Sequence, residues 1–140
     1  MKQNWILMAV ISMLFAGLTS VIAKFGLKNI SADTGMVIRT LFVSLFVLLN
    51  FFIFGNYKDL SKLSNSNLIF LGISAFTTAI SWIFYYRAIK IGEVSKIALI
   101  DKGSIVITLI LSVVVLKEVL TIKTLIGAGF IISGLLILIL

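Results

Sequence analysis

IALIDKGSIVITLILSVVVLKE, residues Ile97 to Glu118, decides how the rest of this chain is read. From Gly103 to Leu116 the stretch is apolar apart from a few hydroxyls. That is the composition of a helix solvated by lipid. Asp101 and Lys102 nevertheless stand about one turn inside its start. A charge at membrane depth costs at least about 2.5–3.5 kcal/mol, so its presence needs a reason. At about 100° per residue, Asp101, Ser104, Thr108 and Ser112 share one face, and Ile, Leu and Val fill the others. Such a stripe predicts a helix turned inward, along a cavity or a bundle seam.

Composition points the same way. Hydrophobic residues make up 61% of the 140 residues, against about 45–50% in soluble domains. The mean hydropathy is +1.23. A chain of this length has room for four or five spans of about 20 residues and little else. The formal charge of +7 invites a nucleic-acid reading, but the cations cluster at the ends of apolar runs. Flanking Lys and Arg anchor membrane helices at the headgroups, so no nucleic-acid partner is expected. His and Cys are both absent. Thiol nucleophiles and the usual Zn or haem ligands are therefore excluded, and neither a metal nor a cofactor is expected. The cluster of Asp101, Lys102 and Ser104 offers no convincing nucleophile–base arrangement, so enzyme chemistry is not expected either.

Working outward, the spacing predicts an all-α membrane bundle of five transmembrane helices, over about residues 5–23, 34–54, 68–86, 96–116 and 124–140, in a single domain, 1–140. The first helix carries no charge. Lys2, an apolar run and Val21-x-Ala23 imitate a signal peptide, but the run is longer than a usual h-region, and the helix is read as retained. Its small face of Ser12, Ala16, Thr19 and Ala23 suits a packing seam. Gly26 is placed to end it, and Ser31 or Asp33 to cap the second. The second helix has one internal charge, Arg39, which either snorkels to the headgroups or meets a partner inside. The rest of that helix suits lipid. The segment Gly55–Asn67 reads as surface chain, with Asn65 or Ser66 as the next cap.

On the third helix, Ser74, Thr78, Ser81 and Tyr85 form a second polar stripe, flanked by Trp82. Its aromatics read equally as an interfacial belt or as cavity lining. The linker Lys117–Lys123 is short, so the fourth and fifth helices are expected to be antiparallel neighbours. Gly127, Gly134 and Gly129-x-x-x-Ser133 on the last helix have the spacing of close helix contacts. Proline is absent, which predicts continuous helices without proline kinks.

These residues also carry a resemblance. The run YYRAIKIGEVSKIALIDKGSIVITLILSVVVLKEVLTIKTLIGAGFIISGLLIL, residues 85–138, resembles the second half of an EamA domain. That domain is the repeat unit of the drug/metabolite transporter superfamily. The matching series starts at Trp82, Tyr85 and Tyr86, then Arg87-Ala88, Gly92-Glu93 and Asp101-Lys102-x-Ser104. It ends with Leu116-x-Glu118-x-Leu120-Thr121, Gly127 and Gly134. A weaker likeness continues through Lys24, Lys28 and Arg39. Family members often have a proline near position 99 and a glycine before the Glu, where this chain has Leu99 and Lys117.

The resemblance implies a multi-pass transporter in the cell (plasma or inner) membrane, a secondary carrier or exporter of small organic metabolites or drugs. The two stripes then supply the substrate pathway: Ser74, Thr78, Ser81, Ser104 and Thr108 as hydrogen-bonding groups, Trp82 and Tyr85 as apolar or stacking surface. Asp101 is the candidate coupling site, since a carboxyl in low dielectric can exchange a proton near neutral pH. Arg39 is its expected ion partner, with Lys24 or Lys102 of a second subunit as alternatives. Glu118 matches the family's Glu, but a solvated or helix-linking role fits it as well.

The small multidrug resistance proteins use four helices and an acid in the first, which this chain lacks. A lipid-linked sugar flippase subunit and a non-transporting partner subunit are the competing classes. Five spans put the termini on opposite sides. Five cations then flank one side and six the other, too even a split to fix orientation. Larger superfamily members have two five-helix halves, so the expected assembly is an antiparallel homodimer or a hetero-pair with a related half.

Overall fold

The computed structural model describes residues 4–139, with side chains described through Ile137. It is all helical apart from turns and short links. The helices are α1 (Trp5–Gly26), α2 (Ala32–Phe54), α3 (Asn65–Ile91), α4 (Val94–Asp101), α5 (Ser104–Val114) and α6 (Ile122–Ile139), with a 3-10 turn at Tyr57–Lys62. Four stretches are long and apolar enough to cross a membrane: α1, α2, α3 and the combined Val94–Val114, while α6 is a shorter apolar helix. Their large apolar side chains stand mostly exposed on the chain's own surface, for example Phe46 at 64% and Ile107 at 62%. Lipid is as apolar as Leu, so such helices need no buried core in the soluble sense.

Two compact units divide at Ile91 and Gly92. In the first, α3 packs along α2 and touches α1. The turn between α1 and α2 holds the tightest packing. Leu27 is 2% exposed, and Ile89 of α3 is fully buried. A Cβ at Gly35 would overlap Leu27 Cδ2, so the missing side chain lets α2 come up against that turn. Asn29 takes the left-handed conformation at φ 65°, which Asn tolerates better than most residues. Ser31 caps α2 by accepting from Thr34 N–H at 3.1 Å. For α3 the cap is Ser64, which accepts from Asn67 N–H at 3.2 Å. Neither Asn65 nor Ser66 fills that role, because the helix has already begun at Asn65. The segment after Gly55 is more ordered than its composition suggests. The Tyr57 hydroxyl donates to Phe52 O at 2.7 Å, and its ring meets Phe51 edge-on.

In the second unit, α6 packs against both α4 and α5, as the short linker requires. The expectation of one continuous helix over 96–116 is corrected here. Four i→i+3 bonds interrupt the α-helical pattern, from Lys102, Gly103, Ile105 and Val106 N–H to Leu99, Ile100, Lys102 and Gly103 O, at 2.9–3.1 Å. This is a 3-10 tightening inside the span, formed without proline. Gly103 suits it, since a Cβ there would stand 3.0 Å from Ile100 O. Below it, α5 ends at Val114, and Lys117 adopts φ 56°. That left-handed conformation is the one glycine takes without penalty. The expected close contacts of Gly127, Gly129 and Gly134 are not made within the described chain, where a Cβ at each would meet nothing within 4 Å.

Candidate functional site

The first unit contains a cleft of about 500 Å³. From α1 it is lined by Thr19, Ile22 and Ala23, and from α2 by Ile38, Phe42 and Phe46. Leu27 and Ile30, from the connecting turn, line one end. The small face of α1 thus serves partly as cleft wall, through Thr19 and Ala23. The second helix, read from sequence as lipid-facing, supplies the opposite wall. Beyond Arg39 this helix has little polar pattern to show which face is which, and that is why the sequence missed it.

Among the described residues, Arg39 is the one cationic residue lining this cleft. It lies seven residues into α2, about 10 Å along the axis at the usual rise. Its guanidinium carbon sits 4.2 Å from the Trp82 ring centroid and 5.6 Å from that of Tyr86. Both rings come from α3, which is why the α2–α3 packing matters for the site. Such contacts contribute up to about 2 kcal/mol when water is excluded. They neutralise no charge and satisfy few N–H groups. Among the described residues, Arg39 Nη1 is buried without a hydrogen-bond partner. The guanidinium therefore turns inward and does not snorkel, and Trp82 is its platform.

The end of the first unit nearest the α1–α2 turn is locked by three basic residues. Lys24 Nζ donates to Ile89 O at 2.6 Å and Lys90 O at 3.3 Å. Lys90 Nζ donates in return to Leu27 O at 2.6 Å. Arg87 grips Asp33 with both carboxylate oxygens engaged, at 2.9 and 3.2 Å. Helix C-termini leave carbonyls without intrahelical partners, and cations there also oppose the negative end of the helix dipole. These heads were read as headgroup anchors, but here they serve protein oxygens. For Lys24 and Lys90 the position in the last turn of α1 and α3 was the available signal.

The polar stripes are placed as follows. Tyr85 and Ser20 share a hydrogen bond of 2.7 Å between α3 and α1. Thr78 donates to Ser74 O at 2.8 Å, and Thr108 to Ser104 O at 3.0 Å. Ser74, Thr78 and Ser81 are exposed on α3, and Ser104 and Thr108 on α5. Hydroxyls that bond back to their own helix satisfy their proton in lipid and keep acceptor capacity free for a solute. Asp101 closes α4 at the 3-10 tightening, half exposed, with Lys102 Nζ 3.8 Å from Oδ2. Arg39 belongs to the first unit and Asp101 to the second. Among the described residues, no group of His, Cys, Asp or Glu is arranged to hold a metal ion.

The model of the EamA-like transporter family matches residues 3–140. The chain belongs to that family. A protein of Sinorhizobium sp. described as "Uncharacterized transporter in cobO 3'region" is 35% identical over 138 residues, covering 99% of this chain and 98% of that one. No solved structure matches the chain. With its apolar helices, the EamA-like chain is a multi-pass membrane protein of a transporter family.

Proposed function

We propose that this chain is a secondary carrier of small organic molecules in the plasma or inner membrane, working as a pair of five-helix units. The observation that supports this most is the family match along nearly the whole chain. The structural support is chemical: an arginine lining an apolar cleft, and a carboxylate at a helix interruption. Interrupted helices recur at carrier sites. Asp101 is the coupling carboxyl, and Arg39 is its counter-charge in part of the cycle. Ser74, Thr78, Ser81, Ser104 and Thr108 hydrogen-bond solute along the path, and Tyr85 lends it apolar surface.

The test is flux in proteoliposomes, with a panel of neutral, cationic and anionic organic solutes, with and without a pH gradient. Saturable flux by the chain alone supports the reading. A chain that moves none of them, and co-purifies with a larger membrane protein, is instead a partner subunit.

A further inference from the structure

We infer that the α1–α2 cleft is a binding site for an organic anion with an apolar body, held by Arg39. Three observations converge on this chemistry. The guanidinium has a buried N–H with no partner, and a buried donor left unpaired is costly. Trp82 and Tyr86 lie against the guanidinium, 4.2 and 5.6 Å from its carbon, and a stacked guanidinium keeps its fork of donors for a carboxylate. Apart from Thr19 the remaining wall is aliphatic and aromatic, and the volume of about 500 Å³ falls within the range of small-molecule pockets.

The choice between a free solute and an anionic phospholipid rests on where the cleft closes. A turn between two spans lies at the membrane surface, and Leu27 and Ile30 of the α1–α2 turn line that end of the cleft. A phosphate headgroup at that surface would meet apolar chain, with Arg39 about 10 Å further along α2. A carboxylate on a compact apolar body reaches the guanidinium without that mismatch. This inference deepens the carrier reading and rests on it only for the claim that the bound anion is cargo.

The experiment measures binding without any gradient, so it can fail while flux succeeds, or the reverse. The chain has two tryptophans, and Trp5→Phe leaves Trp82 as the sole reporter. In phosphatidylcholine nanodiscs, 4-bromobenzoate held by Arg39 brings its bromine close enough to quench Trp82, whose ring lies 4.2 Å from the guanidinium carbon. Its neutral counterpart, 4-bromobenzamide, reports simple partitioning into lipid. Saturable quenching is expected from the benzoate and only a linear response from the amide. Arg39→Gln weakens the benzoate by roughly ten- to a hundredfold, the range of one charge-assisted hydrogen bond. Ala23→Leu, which fills the cleft and keeps Arg39, weakens it too and covers the case in which the charge variant misfolds. Equal, linear quenching by both probes overturns the proposal. So does stronger quenching by brominated phosphatidylglycerol than by brominated phosphatidylcholine together with loss of benzoate binding, which would assign the cleft to lipid.

Discussion

Lys24 and Lys90 cap each other's helices. The Lys24 ammonium donates to carbonyls at the end of α3, and the Lys90 ammonium donates to Leu27 O just past α1. The exchange holds two parallel helix ends together where hydrogen-bond partners for their last carbonyls are scarce. Replacing either lysine by Met keeps the stem and removes the head. Each change should destabilise the chain by about 1–2 kcal/mol, the range for hydrogen bonds to charged groups. Because the two bonds share one joint, the double variant should cost less than the sum. Thermal unfolding in detergent measures both. Strictly additive losses would mean the two caps act independently.

A second prediction concerns Lys117. Its φ of 56° costs a residue with a Cβ about 1 kcal/mol that glycine escapes. Lys117→Gly should therefore raise thermal stability slightly, less the added entropy of a freer unfolded chain. A marked loss of stability would show that the lysine side chain is held by something the conformation alone does not reveal.

The cleft predicts a labelling pattern, and the lack of native cysteine makes single-Cys variants clean reporters. Thiols at positions 38 and 42, on the cleft wall beside Arg39, should react with maleimide faster than thiols at 41 and 45. On α3, position 78 should react faster than position 76 if the stripe lines a path. Uniform reactivity around α2 would leave the cleft filled or dry, and uniform reactivity around α3 would remove the polar path there.

Much of this architecture was legible in the sequence, because helix length and hydropathy answer to bilayer thickness. The spans, the short link before α6 and Ser31 as a cap follow from local chemistry. The cleft was not legible. Phe42 and Phe46 look like lipid-facing residues, and only the folded chain reveals that they also line the cleft. The 3-10 tightening at Lys102–Gly103 escaped for a different reason. Without proline, nothing local forbids the α-helical bond, and a shift from i→i+4 to i→i+3 is small in energy. Arg39 was singled out as an oddity, but its seat on Trp82 and Tyr86 depends on the register between α2 and α3.

Paired units predict a topology. Expressed alone, the chain should place a reporter fused after Leu140 on both sides of the membrane, as an antiparallel homodimer requires. A strongly one-sided signal would rule out dual topology and leave a parallel dimer or a related partner half.

The most direct test of the carrier reading is the initial rate of solute flux by the purified chain in liposomes. The rate should saturate with solute concentration and respond to an imposed pH gradient. Asp101→Asn should abolish the response to the gradient while the chain still folds, as judged by its tryptophan emission. Rates equal to those of empty liposomes for every solute tested, with the chain folded, would contradict the account.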